Sequence, residues 1–359
     1  CSPARAAIQT GMNPHRAGFA GVANFDPGFP GWTMEIDPSV ETLPEALRAE
    51  GYATYAVGKW HLTRDSAMHG AAPRGSWPLQ RGFDRYYGVL EGWTNLHQPH
   101  ALVRDNSPVD VDEYPEGYYF TDDITDQAIR YLKELRAHDA DKPFFLYLPL
   151  PAPHTPIVPV PPFKDASGMN PYADFVMQMD HHMGQLLDAV VKAGIDENTL
   201  VIFTSDNGCS PEANFGELAK HDHDPSGKYR GHKADIYEGG HRVPFIVRWP
   251  GKVVAGKTTN AVACLTDVYT TLQSITNQPR EATGGEDGFD LTGVFGGDDA
   301  SEREALVSHS IGGFFAIRRG KWKLCLSHGS GGWSDPREPK AKLQGLPPMQ
   351  LFDLEADPA

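Results

Sequence analysis

The stretch "TLVIFTSDNG" (residues 199–208) carries the main signal for the fold. Its first half is a short continuous apolar run, typical of a strand buried on both faces of a sheet. The polar cluster "SDNG" follows at once and contains Asp206 and Asn207. In open parallel sheets, ligands bind outside the carboxyl ends of the strands. The stretch therefore predicts an α/β protein with a functional site at a strand end.

The rest of the chain alternates between strand and helix patterns. Further strands are predicted in "YATYAVG" (52–58), "FFLYLPL" (144–150) and "VPFIVRW" (243–249), with the latter two also buried on both faces. Helices are predicted over residues 42–50, 121–138, 172–194 and 265–275, the second with Thr121 as its N-cap. This alternation predicts a mainly parallel sheet sandwiched by helices.

The pattern changes after the Gly/Asp-rich stretch at residues 283–300. The sequence "FFAIRRGKWKLCLS" (314–327) predicts a hairpin that turns at Arg319–Gly320, and residues 350–359 suggest a further strand. We therefore expect a catalytic α/β domain over residues 1–300 and a small antiparallel subdomain over 301–359. Residues 69–119 are expected to be irregular loops around a binding face.

Composition excludes several classes of protein. The chain has 359 residues and a formal net charge of −15, which argues against a nucleic acid or an anionic membrane as partner. It contains no apolar run long enough to cross a membrane, and no signal peptide is visible. Its four cysteines are far apart and form no CxxC pair, so neither a disulfide framework nor a zinc site is indicated.

The sequence "CSPARAAIQTG" (residues 1–11) predicts a helix with Ser2 as N-cap, Pro3 in the first turn and Gly11 as its end. Cys1 would lie just before the helix N-terminus, where backbone N–H groups favour an anion. Arg5 lies one turn further on and could fold back towards Cys1.

Polar clusters follow two other predicted strands as well: "GKWH" supplies Lys59 and His61, and "PAPH" supplies His154. Lys233, in "GHKADIYEGG", lies a short loop after the same strand as "SDNG". A nucleophile candidate, cations, histidines and an Asp-Asn pair at strand ends together predict a site for a tetrahedral oxyanion. His181 and His182, on a helix, are assigned no role. His221 and His223 could contact substrate, although the pattern favours a surface loop.

These motifs resemble those of the type I sulfatases of the alkaline phosphatase superfamily. "CSPARAAIQTG" is similar to their C-x-P-x-R signature, whose cysteine is oxidised to formylglycine. The motifs "GKWH", "PAPH" and "SDNG", and the lysine before "YEGG", match further family motifs, and "LFDLEADP" resembles the family's C-terminal region. The resemblance extends over the whole chain.

The resemblance implies an enzyme that hydrolyses sulfate monoesters through a formylglycine diol at position 1 and a calcium ion. It implies that Arg5 orients and stabilises the diol, and that Lys59 and Lys233 bind sulfate. His154 would bind sulfate or protonate the leaving oxygen, and His61 would be the base. The implied metal ligands are Asp206, Asn207 and the modified Cys1. It further implies a formylglycine-generating enzyme as maturation partner and a secreted or periplasmic location.

The sequence leaves the substrate open. Aromatic residues in the expected loops could stack on sugar rings, which favours a sulfated carbohydrate; these are Trp77, Trp93 and Tyr118.

Family members normally begin with a strand that carries two metal-binding aspartates ahead of the cysteine, and they continue a little beyond "EADP". The expectation is therefore a fragment cut at both ends and itself inactive, unless Asp222 or Asp235 completes the metal site.

Three alternative interpretations stay open at this point. A phosphodiesterase or phosphonate monoester hydrolase of the same superfamily would bind a group of the same shape. A lipoprotein acylated at Cys1 would place a flexible tether where the sequence predicts a helix. An N-terminal nucleophile that uses its own amine as base would leave the Asp-Asn pair and both lysines without a task.

Overall fold

The computed structural model describes residues 1–278 and 283–358. In these residues the helices are α1 (Ser2–Thr10), α2 (Leu43–Ala49), α3 (Phe120–His138), α4 (Pro171–Lys192), α5 (Phe215–Leu218), α6 (Glu238–His241), α7 (Asp267–Ile275), α8 (Thr292–Gly296) and α9 (Glu338–Leu343). The strands are β1 (Ala53–Lys59), β2 (Arg85–Val89), β3 (Leu102–Arg104), β4 (Ser107–Pro108), β5 (Phe144–Tyr147), β6 (Val201–Thr204), β7 (Phe245–Arg248), β8 (Ala305–His309), β9 (Phe315–Arg319), β10 (Trp322–Cys325) and β11 (Gln350–Asp353).

Five strands form the central sheet in the order β4-β3-β2-β1-β5. Strand β1 pairs in parallel with β2 on one side and with β5 on the other, while β3 and β4 form an antiparallel edge. The carboxyl ends of β1, β2 and β5 therefore lie at the same edge of the sheet. The predicted α/β class with its mainly parallel sheet is confirmed.

Alternate residues of β1 enter two different hydrophobic clusters, because successive strand side chains point to opposite faces of a sheet. Val57 packs in the cluster that contains Ile124 of α3. Its neighbour Ala56 packs in the cluster that contains Ala6 of α1. The sheet is thus covered by helices on both faces, and α1 is held directly against it.

The predicted helices are confirmed with small shifts at their ends. Helix α2 begins after Thr42, whose side chain forms a capping box with Glu45. Helix α3 has Tyr119 as its N-cap, so the prediction for Thr121 is wrong. Thr121 is fully buried inside the first turn, where its side chain is not placed to cap the helix.

Two strand predictions are also corrected. Residues 69–119 are not wholly irregular, since β2, β3 and β4 lie among them. The sequence signal of β2 is broken by Gly88, where a side chain would meet the Gly58 carbonyl of the neighbouring strand at 1.9 Å. Strands β6 and β7 pair with each other in antiparallel fashion as a two-stranded sheet, and β7 is not buried on both faces, because Ile246 is 59% exposed.

The C-terminal part forms a four-stranded antiparallel sheet in the order β11-β10-β9-β8. The predicted hairpin is confirmed between β9 and β10, and Gly320 supplies the positive φ of 56° that its turn requires. The sheet is joined to the rest of the chain by an ion pair between the buried Lys323 of β10 and Glu238 of α6 (2.9 Å). The domain boundary after residue 300 stays a prediction. Among the described residues, no helix has the length and apolar character needed to cross a membrane.

Candidate active site

Side chains from several strand ends meet around a cavity of about 1070 Å³. His61 comes two residues after the end of β1, and Asp206 comes two residues after the end of β6. His154 follows β5 by a short turn. The predicted site residues that line this cavity are Cys1, His61, His154, Asp206, Asn207 and Lys233. The structure therefore brings together residues that are up to 232 positions apart, as the separation of Cys1 from Lys233 shows.

Cys1 is the N-cap residue of α1, so its side chain lies at the positive end of the helix dipole. Its nitrogen donates to Oδ1 of Asn207 at 2.8 Å, and Nζ of Lys59 lies 3.6 Å from its Sγ. Ser2 is not the N-cap, as the sequence had suggested, because its buried hydroxyl accepts a hydrogen bond from the Ala23 nitrogen (3.0 Å). Cys1 is thus the residue that faces both the helix N-terminus and the lysine.

Arg5 does not fold back on the Cys1 side chain as expected; it connects two strand ends. Its Nε and Nη2 donate to Oδ2 of Asp206 at 3.2 and 2.9 Å, and its Nη1 donates to the carbonyl of Lys59 at 2.7 Å. Burial of the Asp206 carboxyl opposes its ionisation, but the neighbouring cations Arg5 and Lys59 hold its pKa well below the usual range. Asp206 is therefore an anion that pairs with the Arg5 guanidinium.

Lys59 is only 2% exposed, beneath the Cys1 side chain. Burial, followed by repulsion from Arg5 and Lys233, lowers its pKa to about 7, although Asp206 acts in the opposite direction. Its ammonium group is therefore close to losing its proton at neutral pH. A bound oxyanion would restore the charge, since an opposite charge nearby favours the protonated form.

His61 and His154 are both held in the neutral state. His61 has a positive φ of 57°, which turns the chain sharply after β1. Burial, then Lys59 and Arg5, lowers the pKa of His61 to about 2. Burial and Lys59 lower the pKa of His154 to about 4, against the effect of a hydrogen bond from its Nδ1 to the Thr155 carbonyl (2.7 Å). That bond places the proton of the neutral ring on Nδ1 and leaves Nε2 as the acceptor.

Lys233 is positioned by a loop with a buried anchor. The Lys233 nitrogen donates to the Cys209 carbonyl at 2.9 Å. Asp235, two residues on, is 0% exposed and accepts hydrogen bonds from the nitrogens of His232 (2.9 Å), Trp333 (2.8 Å) and Ser334 (3.0 Å). The Lys233 loop is therefore fixed against the chain that follows β10.

The intervening residue of this loop is strained. Ala234 has a φ of 82°, a conformation that L-residues with a side chain rarely adopt, and its carbonyl accepts from the Ile311 nitrogen (2.9 Å). Asp235 lines the cavity, but its carboxylate oxygens are engaged by these anchoring bonds. Asp222 is exposed and does not line the cavity. The structure therefore does not support either carboxylate as a further metal ligand.

Sequence reasoning missed several residues that line the same cavity: Glu91, His100 and Asp65, and further charged or histidine residues that include Glu238, His241, Arg242, His309 and Arg318. Glu91 follows β2 just as His154 follows β5, so the rule of strand ends would have found it had β2 been predicted. Nε2 of His100 lies 2.9 Å from Oε2 of Glu91.

Of the three aromatic residues suggested for sugar stacking, the structure leaves Trp93 available. Trp93 lines the cavity and is 58% exposed. Trp77 is 0% exposed, and its indole nitrogen donates to the Ala67 carbonyl at 2.8 Å, so that assignment is wrong. Tyr118 donates to Asp123 at 2.7 Å and does not line the cavity.

His181, His182, His221 and His223 do not line the cavity. His221 and His223 are exposed in a loop, as expected. His182 is not a surface residue, because it is 4% exposed and its Nε2 lies 3.2 Å from Asp122 on the neighbouring helix α3. It joins the two helices.

Asp206 and Asn207 supply two oxygen donors beside Cys1, which is the ligand type that calcium prefers. Calcium takes about 6–8 oxygens. Residues 1–278 and 283–358 contain no group of three or more His, Cys, Asp or Glu side chains that could hold a metal ion. The described residues therefore match calcium in donor type but do not complete a calcium site.

The arrangement suits an anion that reacts at Cys1. A helix N-terminus, Lys59 and Lys233 surround the space in front of residue 1 with positive charge, and two neutral histidines can exchange protons there. It does not suit a lipid-anchored cysteine, because α1 begins directly at Ser2 and Cys1 lines the cavity.

Comparison with known proteins agrees with this chemistry. A family model described as "Sulfatase" matches residues 1–277. The N-acetylgalactosamine-6-O-sulfatase of Bacteroides thetaiotaomicron is 29% identical over 100% of this chain and 79% of its own length. Human arylsulfatase A is 31% identical over 100% of this chain and 72% of its own length.

A solved structure, titled for the metabolism of multiple glycosaminoglycans by Bacteroides thetaiotaomicron, superposes with a TM-score of 0.78 at 28% identity. The superposition covers 99% of this chain and 84% of the solved chain. Several mammalian N-acetylgalactosamine-6-sulfatases also match, and this chain spans 56–65% of their length.

Proposed function

The chain belongs to the sulfatase family of arylsulfatase-like sulfuric ester hydrolases, and from this premise we propose that it removes a sulfate monoester from a carbohydrate, with Cys1 as the reacting residue after conversion to formylglycine. The observation that carries the proposal is the position of Cys1, at a helix N-terminus with Lys59 Nζ 3.6 Å from its Sγ and Lys233 lining the same cavity. The carbohydrate is supported by the relative named as an N-acetylgalactosamine-6-O-sulfatase.

Formylglycine at position 1 would supply two hydroxyls on one carbon, one able to attack sulfur and the other able to release sulfate after losing its proton. The cysteine side chain fits this role, since it lines the cavity and has a cation beside it. Lys233 would hold the sulfate oxygens as a positive charge, and Lys59 would do so as well, since the bound oxyanion favours its protonated form. Arg5, tied to Asp206 and to the Lys59 carbonyl, would keep α1 and therefore residue 1 in place.

The histidines would move the protons. His154 presents Nε2 as its free nitrogen. After Nε2 takes up a proton from solvent, the ring would deliver that proton to the leaving sugar oxygen, and His61 would accept a proton next to residue 1. Their lowered pKa values arise from burial and from the cations. A sulfate in the cavity adds negative charge and would raise both pKa values towards the working range.

Three further elements of the proposal come from the family resemblance. A calcium ion would be held in part by the oxygens of Asp206 and Asn207, and no step above depends on it. A formylglycine-generating enzyme would act on the Cys1, Pro3 and Arg5 pattern during maturation. A secreted or periplasmic location is proposed on the same ground.

The test uses protein made at its full natural length together with a formylglycine-generating enzyme. Turnover of 4-nitrophenyl sulfate is compared with turnover of 4-nitrophenyl phosphate and a phenylphosphonate ester. We expect the sulfate ester to be preferred. A preference for the phosphate or phosphonate ester would instead assign the site to phosphoryl transfer and overturn the proposal.

A further inference from the structure

The loop that follows β2 lies directly against His61. The ladder between β1 and β2 continues past the strand ends, because Trp60 donates to the Val89 carbonyl (2.9 Å) and His61 to the Leu90 carbonyl (3.0 Å). Two residues after Leu90 comes Gly92, where a Cβ would lie 2.7 Å from Cε1 and Nε2 of His61. This close approach brings Trp93 next to the reacting end of the cavity.

Trp93 presents an aromatic surface at this place. It is 58% exposed although it lines the cavity, and its indole lies 6.1 Å from the imidazole of His100 at an angle of 55°. His100 is held by Glu91 at 2.9 Å, and both also line the cavity. An exposed ring beside a hydrogen-bonding pair is the combination that a sugar needs, with an apolar ring face and hydroxyl groups around its edge.

The cavity lining carries charges of both signs, among them Lys233, Arg242 and Arg318 as cations. The loop after β2 contributes Glu91, Gly92, Trp93 and His100 to the lining, and this part contains a carboxylate but no lysine or arginine. A sulfate fits the space in front of Cys1, where Lys59 and Lys233 lie. A second sulfate or a carboxylate held at the loop after β2 would meet Glu91 and be repelled.

Resting on the proposed sulfatase function, we propose that Trp93, Glu91 and His100 form a sugar subsite that selects a ring with one sulfate and no second anionic group. Trp93 stacks on the apolar face of the ring. The Glu91–His100 pair binds its hydroxyl groups and excludes a second anion.

The stacking half of the proposal is tested by steady-state kinetics on the matured protein. N-acetylgalactosamine 6-sulfate is the substrate, and inorganic sulfate is the competitive inhibitor that reports on the sulfate position alone. We expect Trp93→Ala to raise KM about tenfold, which corresponds to the loss of one stacking contact. The variant should leave kcat and the inhibition constant of sulfate within about twofold. Trp93→Phe should restore most of the affinity, and Trp322→Ala is the matched control, since Trp322 is 48% exposed on β10 and does not line the cavity.

The charge half is tested with Glu91→Gln, which keeps the size and hydrogen bonding of the side chain. The wild type should prefer N-acetylgalactosamine 6-sulfate to glucosamine 2-N,6-O-disulfate, and the substitution should reduce that preference about fivefold, as expected for one like charge removed.

If the wild type turns over the sugar sulfate and Trp93→Ala has the same KM, the sugar subsite is overturned. The proposed sulfatase function is not affected by that result. An unchanged preference in Glu91→Gln would overturn the exclusion of a second anion. Absence of sulfate-ester turnover in the wild type would overturn the proposed function and the subsite together.

Discussion

Replacing Asp235 should loosen the loop that carries Lys233. Asp235→Ala removes the acceptor of three backbone N–H groups, on His232, Trp333 and Ser334, in a place with 0% exposure. Each buried donor left without a partner costs about 1–3 kcal/mol. Because the loop can relax in part, we expect a total loss of about 3–5 kcal/mol in the free energy of unfolding. This loss is at the upper end of the range that single substitutions cause.

The assay is thermal unfolding with parallel kinetics. At about 2.1 cal/mol/K of unfolding entropy per residue, a chain of 359 residues loses about 1.3 °C in Tm for each kcal/mol, so Tm should fall by about 4–7 °C. Asp235→Asn should lie between wild type and Asp235→Ala, because one oxygen can still accept from Trp333 and Ser334. KM for a sulfate ester should rise in both variants, since Lys233 is no longer held in place.

The matched control is Asp37→Ala. Asp37 also accepts from a backbone nitrogen and a hydroxyl, both of Ser39 (2.8 and 2.6 Å), but on the surface. Its replacement should leave Tm and KM unchanged. If Asp235→Ala unfolds within about 1 °C of the wild type, the reasoning about the buried anchor is refuted.

Three further outcomes are expected. Lys233→Ala should lower kcat/KM for a sulfate ester at least a hundredfold without a change in Tm, while Lys228→Ala, at an exposed lysine that does not line the cavity, should not; equal effects in kinetics would remove Lys233 from the sulfate position. Burial, then Lys323, lowers the pKa of His241 to about 3, so unfolding takes up a proton below the ordinary value of about 6.5 and stability should fall as the pH drops from about 6.5 towards 3. Urea titrations over that range should show a shallower fall for His241→Asn, and an identical fall would show that His241 makes no contribution. Asp206→Ala should weaken calcium binding measured by calorimetry, whereas unchanged affinity would place the ion elsewhere.

The sequence predicted the elements of the fold whose signal is local. The continuous apolar run at 144–150 and the period of Ile124, Ala128 and Leu132 depend only on neighbouring residues, and both elements are present. Strand β2 was missed because Gly88, placed there for the close approach of β1, interrupts the apolar pattern. The antiparallel pairing of β6 with β7 was missed because pairing direction depends on contacts between segments over forty residues apart.

In the candidate site, too, local sequence patterns predicted some features and tertiary packing determined others. Motifs identified several residues that meet at the cavity, because polar clusters after β1, β5 and β6 converge there, although β6 lies outside the central sheet. They did not identify the partner of each side chain. That Arg5 bonds Asp206 and that Asp235 anchors the chain beyond β10 follow from tertiary packing, which no local pattern records. The exposure of a side chain could not be predicted from the sequence either. Trp77 and Trp93 both lie in the segment predicted to be loops, but they are 0% and 58% exposed.

The most direct test of the central claim measures two quantities in the same preparation: the fraction of residue 1 converted to the aldehyde, and the rate of sulfate release. Protein made at its full natural length with a formylglycine-generating enzyme is divided in two. One half is digested for mass spectrometry of the Cys1 peptide with aldehyde trapping, and the other is incubated with N-acetylgalactosamine 6-sulfate while free sulfate is measured. Across preparations matured to different extents, the rate of sulfate release should rise in proportion to the aldehyde fraction at residue 1, and Cys1→Ala should release none. Full activity in protein that carries only the unmodified thiol, or in Cys1→Ala, would contradict the account.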